Sequence, residues 1–371
     1  MVRLAIANLL QNKTRLLISA GGVGLALTLV LFFGAIFKGA EGRLTVYVDN
    51  AGADIWVSQA GVQTMHMSES AIPIETVARV NAVPGVAEAL PILYTSDILQ
   101  ANGKGNISYV FGVPGGASLG SPWSVMEGKS KPADGEIIID HAIASQLGVG
   151  VGEEVTAIGQ QMTVAGMTSG TSSVASAVSF VSFDDFASVR GGGQVISYVL
   201  VKVSSGESVS AVRDRIAADV GDGVTVQTRQ QFATNERELV KDMSADYISI
   251  INNAGYLTGL AVVVLTIYVA TVARRKEYGV LKAMGVGNAR LFGVVVLQAL
   301  LTVAIGFLTA VAITLLLTVV IPKFNELMVL TISTSALLQL AWISALLAGL
   351  AALLPARQLA GLEPVEILRK G

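Results

Sequence analysis

Cysteine is absent from this 371-residue chain, and histidine occurs only twice. The first absence excludes a disulfide framework and any thiolate chemistry. The two histidines, His66 and His141, stand far apart, and no HExxH, CxxC or paired-histidine spacing occurs. Charge is scarce too, at 14% of residues against 52% apolar. With a mean hydropathy of +0.63, the chain is too apolar for a soluble domain, so the membrane is the first question.

Charge is missing altogether from four windows, at 16–37, 247–273, 291–322 and 327–356. Each exceeds the roughly 20 residues that carry a helix across about 30 Å of hydrocarbon. Four spanning helices are expected, with tilt or extension taking up the extra length of the last two. The first window is longer than the roughly 7–15 residues of a signal-peptide core, so it reads as an uncleaved anchor. Ala20, Gly24 and Thr28 repeat at four-residue spacing along it, a small-residue face that lets another helix approach closely.

The charges that remain are asymmetric. Outside residues 41–246 there are 13 Lys+Arg and 4 Asp+Glu; inside that span there are 12 and 23, a net of −11. Arg3, Lys13 and Arg15, the basic loop after the second window, and Arg357, Arg369 and Lys370 share one side if the chain crosses four times. Basic residues stay inside, so both termini are expected in the cytoplasm and the acidic segment outside.

The loop 273–290, ARRKEYGVLKAMGVGNAR, carries five basic residues and one acid. Tyr278, Leu281 and Met284 fall at helical spacing, and Gly285 and Gly287 stop the turn. The spacing predicts a short amphipathic helix at the inner membrane face, offered to a protein partner. A plain connecting loop with topology-setting charges is the simpler reading of the same residues.

The expected organisation is a cytoplasmic elbow helix at 1–15, a first transmembrane helix at 16–38, and an extracytoplasmic α/β domain at 39–229. A stalk helix at 230–246 leads to a second transmembrane helix at 247–273 and a coupling loop at 274–290. Transmembrane helices at 291–322 and 327–356 and a cytoplasmic tail at 357–371 complete the chain. Within the α/β domain, residues 54–57, 137–139 and 199–203 read as strands. Helical patterns cover 74–83, 142–147 and 210–218, the last placing Val212, Ile216 and Val220 on one face. Pro84-Gly85, Asn102-Gly103 and Asp134-Gly135 mark turns, residues 159–170 a short hairpin region, and Gly191 to Gly193 a loop.

Several chemical motifs fail on inspection. Gly116-Ala117-Ser118-Leu119-Gly120 has the nucleophile-elbow string, yet Pro114 and Pro122 bracket it where a strand and a helix are needed. Gly128-Lys129-Ser130 ends like a P-loop, but Trp123 stands where its first glycine belongs. Gly148, Gly150 and Gly152 lack the third glycine of a dinucleotide fingerprint. His141 follows Asp140 at a helix start and reads as structural. His66 lies between Met65 and Met67, either a soft-ligand cluster for haem iron or copper, or a loop that merely contains these residues. No catalytic constellation emerges.

RRKEYGVLKAMGVGNARLF resembles the cytoplasmic loop of FtsX/MacB-type permeases of ABC transporters. PARQLAGLEPVEILRKG resembles their C-terminal tail, and LAIANLLQNKTRLLIS their N-terminal elbow and first span. EIIIDHAIASQLGVGVGEEVTAIGQQMTVAGM is similar to their extracytoplasmic domain. The resemblance covers nearly the whole chain, and DIWVSQAGVQTMHMS looks closest to the four-helix DevC/HrtB branch. It implies a fold of four transmembrane helices with an α/β extracytoplasmic domain between the first two. It further implies a non-catalytic subunit that works as a homodimer with two cytoplasmic ABC ATPases, which bind the ATP and Mg.

The resemblance also implies a mechanism. ATPase motion would pass through helices 1 and 2 and the stalk to the outer domain, and an adaptor or other outer protein would complete the assembly. The setting is the bacterial cytoplasmic membrane, with no nucleic acid involved. The uncharged spans suit an amphiphilic cargo such as haem, a lipid, a lipopeptide or a drug. The ATPase-coupling residues would be Arg274, Arg275, Lys276, Glu277, Tyr278, Leu281, Lys282 and Met284. Phe33, Phe37, Met243 and Tyr247, capped by Glu236 and Glu238, would line a lateral substrate slot; an aromatic interface belt and a solvated stalk are the simpler reading of the same residues. Rival functions are a regulatory scaffold signalling to outer cell-wall hydrolases without transport, and a membrane-tethered enzyme.

Overall fold

A computed structural model describes residues 13–66, 68–171, 177–324, 326 and 328–360. The expected elbow and most of the expected tail lie outside these residues. The chain divides into two compact units. The helical unit runs to Lys38 and includes Ser244–Ile321 and the residues from Leu330 on; the sheet unit holds Gly39–Met243 with Pro322–Val329.

The sheet unit begins with the end of α1 (Lys13–Arg43) and α2 (Val46–Asn50). Then follow β1 (Ile55–Gln59), β2 (Ile72–Pro73), α3 (Glu75–Asn81), β3 (Val86–Ala101), β4 (Lys104–Val113), β5 (Val125–Gly128) and β6 (Glu136–Asp140). Next are α4 (His141–Leu147), β7 (Glu154–Ala157), β8 (Gln160–Thr168), β9 (Ala177–Ser182) and α5 (Phe183–Val189). β10 (Val195–Ile196), β11 (Tyr198–Val203), α6 (Val209–Val220) and β12 (Val224–Thr228) lead into α7 (Arg229–Ala273). The main sheet has the order β12-β1-β11-β3-β4-β9-β6-β8-β5, and β7 pairs with both β3 and β8. That double pairing closes the part from β3 to β8 into a ring of strands, which removes edges there. The turn at Asn102 (φ 53°) and Gly103 (φ 71°) has both residues left-handed, as a two-residue hairpin requires, and joins the long strands β3 and β4.

Alternation along the strands sorts two cores onto the two faces of the sheet. Ile55, Val57, Val199, Val201, Ile137 and Ile139 point to an aliphatic side, which α3, α4, α5 and α6 cover. There Val212 and Ile216 are fully buried, as their spacing predicts. Trp56, Tyr198, Ile138, Tyr94 and Phe111 point to the other side, with Tyr47 of α2 and Phe232 of α7 laid over them. Asp140 caps α4 by accepting from the Ala142 N–H at 2.9 Å. Its second oxygen accepts from Thr171 N and Oγ1 at 3.0 and 2.6 Å, so this buried carboxylate is satisfied within the fold.

The helical unit consists of α1, the later part of α7, α8 (Arg275–Ala283), α9 (Asn288–Phe324) and α10 (Thr334–Ala360). Among the described residues, four helices are long and apolar enough to cross a membrane. The last apolar window begins at 327, but its helix starts only at Thr334, where Ser333 Oγ accepts from the Ala336 N–H at 3.1 Å. A capping hydroxyl thus starts the helix inside an apolar run that hydropathy alone cannot subdivide. Close approach depends on small residues. A Cβ on Gly306 would lie 2.8 Å from Val23, and one on Gly255 would lie 2.3 Å from Val30. Ala20 and Gly24 of the small-residue face of α1 therefore pack against α9, while α7 meets α1 through Gly255. Thr28, Thr271, Thr302 and Thr314 donate to the carbonyl four residues back at 2.7–2.9 Å, so their buried hydroxyls are satisfied without an outside partner.

Candidate functional site

The basic loop folds into α8, a nine-residue amphipathic helix. It ends in a Schellman motif: Gly285 takes φ 88°, its N–H bonds Lys282 O at 3.0 Å, and Val286 N–H bonds Leu281 O at 3.1 Å. The structure corrects the face expected to meet a partner. Tyr278 is only 2% exposed and sits in the core of the helical unit, with Leu281 and Val286 half-buried against the same core. Met284 is 68% exposed and Val280 45%. At about 100° per residue, positions six apart differ by roughly 120° around the axis, so Tyr278 and Met284 cannot share a narrow face. Lys276, Val280 and Met284, four apart in turn, form the outward stripe. Val280 is not among the residues expected to meet a partner, although its four-residue spacing to Met284 signals a shared face.

The other loop residues sit around that stripe. Lys276 and Glu277 are exposed, and Lys282 is half-buried. Arg274 pairs with Glu277 at 3.5 Å, one helical turn on. The side chain of Arg275 lies outside the described set.

The residues expected to line a substrate slot divide differently. Phe33 and Phe37 are half-buried, Phe33 lying edge-on to Phe32 at 5.6 Å. Tyr247 is 67% exposed, Glu238 is exposed, and the Met243 side chain lies outside the described set. Glu236 is not a solvated cap. It is fully buried in the sheet unit, where its carboxylate accepts from the Met65 N–H and meets His66 Nδ1 at 2.7 Å. The four-residue step from Phe232 to Glu236 turns both toward the sheet, so this part of α7 is packed and not free. His66 is accordingly held in place, with its ring 4.8 Å from Tyr109. Met67 is outside the described residues. Among the described residues, no three His, Cys, Asp or Glu side chains converge as a metal site would require.

The failed motifs also find their places. Ser118 donates to Glu88, and Lys129 pairs with Glu136 at 2.6 Å. Glu136 is thereby held below the usual carboxylate range, first by the Lys129 hydrogen bond and then by the Ala133 N–H.

Comparison with known proteins decides the family. The family model described as MacB-like periplasmic core domain matches residues 16–219. The model described as FtsX-like permease C-terminal matches residues 251–364. The chain belongs to the FtsX/MacB-type ABC transporter permeases. Relatives of this permease include an ABC transporter permease of Mycobacterium tuberculosis (strain CDC 1551), 24% identical over 93% of each chain. Another, from Mycobacterium bovis, is 22% identical over 97% of each chain. Among solved structures, the periplasmic region of MacB from Actinobacillus actinomycetemcomitans aligns with 51% of this chain and 94% of its own. Its TM-score is 0.40 and its identity 11%. Permease membership makes this a multi-pass membrane protein and implies an ATPase partner.

Proposed function

We propose that this permease is the membrane subunit of an exporter for an amphiphile, driven by separate cytoplasmic ATPases through α8. The single observation that carries this reading is the construction of α8. Tyr278 roots it in the helical unit, while Val280 and Met284 present apolar surface beside Lys276. An apolar centre with a basic rim suits an acidic-edged groove on a soluble partner. Burying one such anchor contributes about 1.5–3 kcal/mol, and a charge placed there adds a desolvation cost.

Two ATPases would join a homodimer of this chain in the bacterial cytoplasmic membrane, both termini inside. ATP and Mg would be held by the ATPase; this chain contributes the docking helix. Motion imposed at α8 would travel along α7, which runs as one helix from Arg229 to Ala273 and carries Phe232 and Glu236 in the sheet unit. The uncharged spans favour an apolar or amphiphilic cargo, haem included, over a small polar solute.

The test is co-purification of the ATPase with Val280→Asp/Met284→Asp. Loss of the ATPase from a variant that keeps its helical content and monodispersity is the expected result. ATPase recovered at the wild-type level would end the proposal. A reporter fused at Gly192 checks orientation independently, and a cytoplasmic signal there would overturn it.

A further inference from the structure

The sheet unit carries a cleft that neither folding nor coupling uses. It measures about 620 Å³ and lies between the β3–β4 turn and the β7–β8 pair. That volume falls within the roughly 300–1,000 Å³ of small-molecule sites. Strand register builds its floor: Gly105 stands opposite Gln100, Gln100 opposite Thr156, and Thr156 opposite Gln161. Residues directly opposite project from one face, so two amides and a hydroxyl form a row across β3, β7 and β8, in steps of about 4.8 Å. Among the described residues none hydrogen-bonds these three side chains. The wall is fixed in advance, because Asn102 donates to Leu147 O at 3.2 Å and to Gly148 O at 3.0 Å.

An apolar step adjoins the polar row. Ile98 and Ile107 face each other across β3 and β4, two residues from the Gln100–Gly105 pair and on its side of the sheet. They are 53% and 48% exposed. A Cβ on Gly105 would lie 3.0 Å from Ile98 Cγ2, so the glycine keeps the isoleucines open to the cleft. Lys104 and Glu154 complete the lining and balance each other, although the surrounding segment is strongly acidic. A cleft of similar size at the start of α7 differs on this point. There Asp54 pairs with Lys202, and Thr228 and Gln231 hydrogen-bond each other across the first turn, so those polar groups serve the fold.

We propose that the β3–β4–β7–β8 cleft binds a neutral pyranose chain. A side-chain amide presents a donor and an acceptor side by side, which the vicinal hydroxyls of a sugar match. The same ring has an apolar C–H face, which covers Ile98 and Ile107. Local charge balance favours a neutral ligand over an ion, and the in-line amides suit a repeating one. The proposal concerns the sheet unit and stands whether or not α8 docks an ATPase.

The probes are chitotetraose and cellotetraose, titrated calorimetrically into the full chain in lauryldimethylamine oxide, a detergent whose headgroup is not a sugar. Tetraglycine is the competing class, a peptide that could use the same amides. Saturable binding of at least one tetrasaccharide is expected, and none of tetraglycine. Gln100→Ala/Gln161→Ala should weaken it about ten-fold or more, and Ile98→Ser/Ile107→Ser several-fold. Lys104→Met/Glu154→Gln should leave it nearly unchanged. All six positions are exposed, so the variants should keep the wild-type far-UV spectrum and thermal transition. If one of the first two variants fails that check, the other carries the test. Absence of saturable binding by both sugars, wild-type affinity in the glutamine or the isoleucine variant, equal or tighter binding of tetraglycine, or a loss of about ten-fold in the charge variant would each overturn the proposal.

Discussion

The two units solve the same problem, burying backbone polarity, with opposite materials. In the sheet unit large side chains meet across a hydrogen-bonded sheet: Phe111 is fully buried with its ring centroid 3.5 Å from that of Tyr47. In the helical unit the decisive contacts are between glycines and valines, and large apolar side chains face outward. Leu257, Leu308 and Trp342 are 66–71% exposed. In water such a surface would drive association; in a bilayer lipid covers it, and helix pairing relies on close packing instead. Exposed leucine thus means opposite things in the two halves of one chain.

The largest effect is expected from a cavity opened in the sheet unit. Phe111→Ala should cost about 3–5 kcal/mol there. Its thermal transition should fall while far-UV helical signal from the spans persists. A single transition in which both signals fall together would show that the units do not differ in this way. Next comes lost polar satisfaction: Asp140→Ala removes a helix cap and strands Thr171, for about 2–3 kcal/mol. Chemical denaturation of the full chain in detergent, followed by tryptophan fluorescence, measures it.

A smaller effect is expected from Gly306→Ala, where one added methyl must displace Val23, for about 1–2 kcal/mol. The same change at Gly21, which has open space around it, should be silent in detergent stability assays. Equal effects at the two glycines would remove close approach as the basis of the helical unit. The smallest effect concerns pH. Because Glu136 is held below its unfolded value, its pairing stabilises the fold above that value and is lost as pH falls through the folded one. Lys129 is 58% exposed, so salt screens the pair. Lys129→Ala should lower the melting temperature by about one degree near neutrality and by nothing near pH ~3.

Much of this was legible in the chain. Uncharged windows show spanning helices because a bilayer tolerates few charges, whatever the packing. The strands at Ile55, Ile137 and Val199 followed from their branched and aromatic residues, and the buried stripe Val212–Ile216–Val220 from helical spacing. The Asn102-Gly103 turn was plain, but the length of the strands beside it was not. Residues 86–101 alternate weakly, and it is the pairing of β3 with β4, β7 and β11 that fixes them.

Periodicity assigns a residue to a face without saying what that face meets. The sequence by itself determined the four apolar helices, the acidic α/β insertion and the basic amphipathic turn, since each rests on local composition and spacing. Only the tertiary structure decided that Tyr278 turns inward and Val280 outward, that the final span begins at a Ser333 cap, and that Glu236 leaves solvent to hold His66. Those outcomes depend on side chains brought together from up to 170 positions apart, and contacts at that range leave no trace in local periodicity.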